Sequence, residues 1–351
     1  MKAACKRIFI LALLHLSVLH VEAQIDCSKG TILFKEDFGG NDPADPVRPT
    51  ANLLGNKTTY KFDNNPNDNV NDGEYALMKQ LAPFPQFGWV NFDDHTYEKN
   101  LEKGYFMLVN ASYTAGQFYE TTISDLCINS KLYFSVWIGN LMLTGGIEPD
   151  LRFEIYETSN PSNRLAQYDT ETVPPNNSNG WGKWVQHGFT FTTPSSSIIL
   201  KLFNKAPGGS GNDLVLDDIE VRFCAPPILL SSPQSVYEIA GCDSVKLSGS
   251  YSEDPLETTF GNDLIGRWEY STTGDINNTA GWSPVSGTEK NSSNGYIQLD
   301  NYVTQSGYYR FVAADITRIN TYKCRAMSDV INVTVKKYCR IEVNPHIRIR
   351  N

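Results

Sequence analysis

Between Leu214 and Phe223 the chain alternates. Leu214, Leu216, Asp218, Glu220 and Arg222 share one parity, and Val215, Asp217, Ile219, Val221 and Phe223 the other. A period of two predicts a strand, delivered by the turn at Gly208, Gly209 and Gly211 and stopped by Pro226-Pro227. The odd parity is apolar except at Asp217. A carboxylate in such company must be hydrogen-bonded, neutral or bound to a cation, because burying it unpaired is costly. The strand is expected to close a β-sandwich.

The same alternation predicts strands at Thr31 to Phe38, Tyr75 to Leu81, Gly104 to Ala111, Gly116 to Ile123, Lys131 to Gly139, Asp150 to Glu157, Trp184 to Thr192 and Ile198 to Asn204. Clusters of Gly, Pro and Asn separate them, and no stretch sustains a helical period. Short strands so punctuated predict an antiparallel sandwich. A composition break at 226–233 reads as a linker. Alternation then resumes at Ser244 to Ser250, Leu264 to Tyr270, Tyr296 to Leu299, Gly307 to Ala313 and Val330 to Val335. Within this block Gly307-Tyr308-Tyr309-Arg310-Phe311 looks like an immunoglobulin-type strand, with Phe311 standing where that pattern has its cysteine. Trp268 is placed for the buried tryptophan and Tyr309 for a tyrosine corner. The fold class is therefore all-β: an antiparallel sandwich over 24–225, which the resemblance described below implies is a jelly roll, and an immunoglobulin-like sandwich over 234–338, followed by a tail over 339–351.

The chain of 351 residues is long enough for two such domains. Its start reads as a secretory signal over 1–23: basic to Arg7, apolar from Ile8 to Leu19, then Val21-Glu22-Ala23. That apolar run falls short of the ~20 residues that span a bilayer, and no later run reaches it. An exported chain follows, at the cell surface, in the periplasm or outside the cell. The net charge of −9 argues against nucleic acid or an anionic membrane as partner. Loss of the signal removes Cys5 and leaves Cys27, Cys127, Cys224, Cys242, Cys324 and Cys339, an even number that favours disulfides in an oxidising compartment. The start of the first strand meets the end of an antiparallel last strand, so Cys27 with Cys224 is one geometrically allowed pair.

Catalytic motifs are missing from the sequence: there is no HExxH, no GxSxG elbow and no P-loop. Two other chemistries are better represented. Glu36-Asp37 in the first strand and Asp217-Asp218 in the last would converge if those strands are neighbours, giving the hard oxygen ligands that a structural Ca²⁺ prefers. Exposed rings stack on sugars while polar neighbours bond the hydroxyls. Phe87, Trp89, Tyr97 and Trp181 are the candidates, with His95 beside them in Asp94-His95-Thr96. Trp137 and Trp184 lie in alternating strands and read as packing.

Asp94-His95-Thr96, Gly104 to Ala111, Leu126-Cys127, Leu132 to Asn140 and Gly208 to Cys224 together resemble a module of secreted Bacteroidetes proteins. There a jelly roll precedes immunoglobulin-like or PKD-like repeats, often in gliding-motility-associated chains. The module is also similar to MAM domains and carbohydrate-binding jelly rolls, in which a strand near the start lies beside a final strand containing two aspartates. The MAM resemblance implies a Cys127–Cys224 disulfide and gives Cys27 no counterpart. The expected function is non-catalytic adhesion or glycan binding at a surface, with a glycan or surface protein as partner. A purely structural component of a surface complex is the alternative. A glycosidase would need two carboxylates about 5–10 Å apart in a cleft.

Overall fold

A computed structural model describes residues 27–39, 44–65, 69–81, 88–96, 104–231, 235–241, 243–253, 259–275 and 279–336. The signal segment, the tail, Phe87, Tyr97, Cys242 and Cys339 lie outside the described residues. The main strands of the first sandwich are β1 (Thr31–Glu36), β2 (Glu74–Met78), β3 (Phe106–Asn110), β4 (Gln117–Ile123), β5 (Ser130–Asn140), β6 (Asp150–Glu157), β7 (Asn160–Thr172), β8 (Val185–Thr193), β9 (Ile198–Asn204) and β10 (Leu214–Phe223). One sheet runs β8-β5-β10-β3-β2 with β1 also on β10, and the other runs β7-β6-β9-β4. Their inward side chains meet in one core: Phe134, Val136 and Ile138 from β5, Phe153 and Ile155 from β6, Leu200 and Leu202 from β9. Each such side chain contributes about 1.5–3 kcal/mol by leaving water. The arrangement is the expected jelly-roll sandwich.

β10 does not hold one parity. Leu214 and Leu216 share the inner core with Ile219, Val221 and Phe223, whereas Val215 belongs to a second cluster on the outer face. The switch falls at Asp217-Asp218, where the register with β5 shifts and Asp218 adopts φ 47°. One extra residue there is a β-bulge. On its other edge β10 pairs with β3 through Leu214–Leu216 and with β1 through Ile219–Phe223. The two aspartates thus sit where the strand changes neighbours.

The second sandwich contains β11 (Leu229–Leu230), β12 (Val236–Ile239), β13 (Val245–Ser252), β14 (Leu264–Ser271), β15 (Lys290–Ser292), β16 (Tyr296–Val303), β17 (Gly307–Asp315) and β18 (Ile331–Val335). Its sheets run β11-β13-β16 and β12-β18-β17-β14, with β15 also on β14. This is an immunoglobulin-like order. Trp268 is fully buried and meets Phe311 edge-on at 5.6 Å. The Tyr309 hydroxyl donates to the carbonyl of Gln305 at 3.0 Å, which makes the tyrosine corner. Phe311 fills the place of the inter-sheet disulfide because Gly249 and Gly266 make room for it. A Cβ on either glycine would lie 2.8 Å from its ring.

Three expectations need correction. The stretch read as a linker, 226–233, contributes β11, whose Leu229 and Leu230 pair with Ser250 and Gly249. β7, polar along most of its length, is a strand that the alternation did not mark. The disulfides are Cys27–Cys224 and Cys127–Cys324, not Cys127–Cys224. Antiparallel pairing sets Thr31 opposite Phe223, so the residues flanking the two strand ends come together, with the Cα atoms of Cys27 and Cys224 4.6 Å apart. Cys127 instead faces the second sandwich, its Cα 5.0 Å from that of Cys324. Phe223 stacks on Phe260 at 5.6 Å, and the Met327 N–H donates to Thr31 Oγ1 at 3.1 Å. The two sandwiches share one continuous apolar cluster.

Candidate functional site

The four carboxylates expected to converge do not. Successive side chains of a strand leave opposite faces. Glu36 accordingly accepts from Lys57 Nζ at 2.6 Å and from the Tyr119 hydroxyl at 2.9 Å, and Asp37 accepts the Gly39 N–H at 3.2 Å. The residue that reaches the bulge is Lys35, with Nζ 2.9 Å from Asp218 Oδ1. The segment Asp94-His95-Thr96 closes the cluster from the other side. His95 N–H donates to Asp217 Oδ2 at 3.1 Å, and His95 Nδ1 lies 2.7 Å from Asp218 Oδ2. Thr96 Oγ1 donates to Asp218 Oδ1 at 2.8 Å, and the Asp218 N–H donates to Asp217 Oδ1 at 2.7 Å. The His95 ring stacks on Trp137 at 4.0 Å.

The two carboxyls are pushed in opposite directions. Burial pushes the Asp217 carboxyl well above the usual range, and the neighbouring Asp218 and a hydrogen bond with Asp94 push it further. Burial opposes ionisation of Asp218 too, but the His95 hydrogen bond and the Lys35 ammonium outweigh it and hold that carboxyl well below the usual range. His95, Asp217 and Asp218 present ligand atoms within 4.8 Å of one another. The set nevertheless fits calcium poorly. Calcium takes about six to eight oxygens, and here the Asp218 oxygens already serve an imidazole, a hydroxyl and an ammonium. An ion would have to displace Lys35. The cluster is an internal polar network that fastens the segment from Asp94 to Thr96 onto the bulge. Excess chelator is expected to leave the melting temperature unchanged. A fall of several degrees, abolished in Asp217→Asn, would restore calcium to this position.

Of the rings expected at a ligand, Trp89 is buried, 6% exposed. The outer face of β2 and β3 is covered by a layer that the alternation did not reveal, and Trp89 packs there with Phe92 and Phe106. Its indole N–H donates to Asp213 Oδ2 at 3.0 Å, and the Ala111 N–H donates to Asp213 Oδ1 at 3.1 Å. His95 is buried as well. Neither can meet a ligand from solvent. Burial pushes the Asp213 carboxyl up to about 6 against those two hydrogen bonds. The folded chain then binds this proton more tightly than the unfolded chain, where the group titrates near 3.8. Stability should fall as pH rises from about 4 through about 6, by about 3 kcal/mol on account of Asp213. Urea unfolding across that window should show a flatter profile for Asp213→Asn. Parallel profiles for the two proteins would refute this.

Trp181 is different, with 38% of its surface exposed. It follows a two-residue turn, Asn179-Gly180, joining the short strands Asn177–Ser178 and Trp181–Gly182. Both turn residues have positive φ, 53° and 79°, the Asn-Gly preference of a tight hairpin. The hairpin is anchored. Asn91 N–H donates to the Gly180 carbonyl at 2.9 Å, Gly182 N–H donates to the Asn91 carbonyl at 2.8 Å, and Asn177 Nδ2 donates to the Leu143 carbonyl at 2.9 Å. Asn-Gly before the tryptophan was the sequence signal for this display. The result is a partly exposed indole on a rigid support, with the side chains of Asn177, Ser178 and Asn179 nearby in the chain. Trp184 is fixed by its indole N–H to the Asp93 carbonyl, 3.0 Å, as packing would have it.

No protein-family model matches the chain, and no curated protein matches it. Among solved structures it is similar to the C-terminal domain of EclA, described as a sugar-binding protein, with 16% identity over 33% of this chain and 81% of that one and a TM-score of 0.23. It is also similar to the CBM22-1 xylan-binding domain of Paenibacillus barcinonensis Xyn10C, with 13% identity over 56% of this chain and 96% of that one and a TM-score of 0.29. A Bacteroides uniformis β-glucuronidase matches with 12% identity over 74% of this chain and 32% of that one, TM-score 0.21. At TM-scores of this size the likeness says nothing about what the chain binds.

Proposed function

We propose that the chain is a non-catalytic, exported carbohydrate-binding protein that engages a glycan through the loop end displaying Trp181. The observation that carries this reading is the partly exposed indole on a hairpin fixed by Asn91 and Leu143. A planar ring held in place offers the apolar face of a sugar a stacking surface without an ordering cost. Nearby amides and a hydroxyl suit the sugar's own hydroxyls. The non-catalytic reading rests on a sequence without an HExxH, GxSxG or P-loop motif, and the buried acids serve the fold. Asp213, Asp217 and Asp218 are all engaged by internal partners. Two disulfides suit an oxidising compartment outside the cytoplasm, as the resemblance to exported adhesion modules leads one to expect. Among the described residues no helix is long and apolar enough to cross a membrane.

Tryptophan fluorescence tests the contact. Titration with soluble xylan, mannan or β-glucan should move the emission to shorter wavelength as the Trp181 ring leaves water, and Trp181→Phe should abolish that shift while keeping a stacking ring. A shift of equal size in Trp181→Phe would place the contact elsewhere.

A further inference from the structure

We propose that the second sandwich carries a carbohydrate site of its own, in which the groove beside β16 takes a neutral oligosaccharide with Tyr296 as its stacking platform. The groove measures about 750 Å³ and is lined by Lys290, Asn291, Asn294, Tyr296, Gln298, Leu299 and Asp300, with the two serines at 292 and 293. Tyr296 is 44% exposed, and its orientation is held at both ends. The hydroxyl donates to Gln298 Oε1 at 2.8 Å, and the backbone N–H donates to Asn294 Oδ1 at 3.2 Å. Asn294 Oδ1 is itself held by Ser292 Oγ at 2.6 Å. A ring fixed in this way loses little freedom when a sugar stacks on it.

The outward positions of β16 are Tyr296, Gln298, Asp300 and Tyr302, all exposed. Tyr302, 65% exposed, sets a second ring about 20 Å along the strand. Between the rings lie an amide and a carboxylate, flanked on β13 by Ser248 and Ser250 at the paired positions. Asp300 is neutralised by Lys246 at 2.8 Å, and the Lys290 ammonium turns onto the Gln298 carbonyl at 3.4 Å. Beside these charges the lining offers amides, hydroxyls and Leu299, and Lys246 Nζ lies 6.0 Å over the Tyr302 ring, which leaves Tyr296 as the stacking face for an uncharged, hydroxyl-rich chain.

An added peptide strand is the competing occupant, because β16 ends its sheet on the side away from β13. Successive carbonyls of a strand point to opposite edges, so of the Gln298 and Leu299 carbonyls, held by Lys290 at 3.4 Å and by the Trp268 indole N–H at 3.1 Å, one lies on the open edge, and a lysine stands beside it. An edge capped in this way is a poor template for strand addition. The site rests on its own residues and stands whether or not Trp181 contacts a sugar. If both sites act, the Cys127–Cys324 bridge holds them on one body, so a long polysaccharide could engage both and gain by avidity.

Isothermal titration of the full mature chain with neutral hexasaccharides of xylose, glucose and mannose tests the proposal, using Trp181→Ala as the background so that the first surface is out of play. At least one hexasaccharide should still bind. Adding Tyr296→Ala should weaken that binding about tenfold, about 1.4 kcal/mol. Gln298→Ala should weaken it to a smaller degree, and Tyr296→Phe should keep most of it. Tyr296 is at the surface, so melting curves of these variants should overlay the parent. Binding unchanged by Tyr296→Ala overturns the proposal, as does a Trp181→Ala chain that gives no heat with any hexasaccharide. An uncharged extended peptide that binds the groove and displaces the sugar overturns it as well.

Discussion

Replacing Glu269 by Gln is expected to destabilise the second sandwich by about 3–5 kcal/mol, because three buried guanidinium groups lose the carboxylate they share. Glu269 accepts from Arg267 at 2.9 Å, from Arg310 at 2.8 Å and from Arg325 at 2.7 Å, and all four side chains are at least nine-tenths buried. Arg310 also lies 4.0 Å over the Trp282 ring, with its Nη1 3.3 Å from the Tyr322 hydroxyl. Burial opposes ionisation of Glu269, but Arg325 and Arg310 outweigh it and hold its carboxyl below the usual range. A depressed carboxyl pKa gives stability that is present above the unfolded value, near 4.5, and lost as pH falls through the folded one. Wild type should therefore weaken steeply on acidification, and Glu269→Gln should lack that limb. A variant within about 1 kcal/mol of wild type at neutral pH would show that the guanidinium groups find other partners.

Removing the Cys127–Cys324 bridge as a Cys127→Ser, Cys324→Ser pair should cost about 2–5 kcal/mol. The bridge closes a loop of 197 residues and ties the turn before β5 to the segment between β17 and β18. The apolar seam around Phe223 and Phe260 would remain, so both halves should still fold. With the tie gone, the second sandwich should melt in a separate, lower transition and be cut first by protease between 226 and 233. A single transition at the wild-type temperature would mean that the seam alone couples the halves.

Much of this architecture is written in the period-2 pattern, and its gaps have physical causes. Trp268 and Tyr309 were legible because one large buried ring and one corner hydroxyl define an immunoglobulin-like core. β7 was not, since its first half is exposed and three register shifts break the alternation of the second half, where Leu165, Ala166 and Tyr168 pack against the core. The bulge was half legible. Apolar residues occupy even positions at Leu214 and Leu216 and odd positions from Ile219 to Phe223, a switch that a single-parity reading absorbs as exposed leucines. Trp89 was misplaced for a related reason. The near-continuous apolar runs of β2 and β3 signal burial on both faces, and the second covering layer took the ring. Lys35 and Asp94 could not be joined to the aspartates from sequence, because the junction of β1, β3 and β10 exists only in three dimensions. The disulfide pairs depend on the same closure, and the resemblance to MAM domains supplied the wrong partner for Cys127.

On the proposed function, rings displayed on rigid supports recognise sugar. A glycan array probed with the mature chain, the Trp181→Ala variant and the Trp181→Ala, Tyr296→Ala double variant tests it most directly. The wild-type chain should bind a coherent group of neutral glycans, the single variant should lose most of that signal, and the double variant should fall to background. A wild-type chain silent across the array, or a double variant that binds as well as wild type, would contradict it.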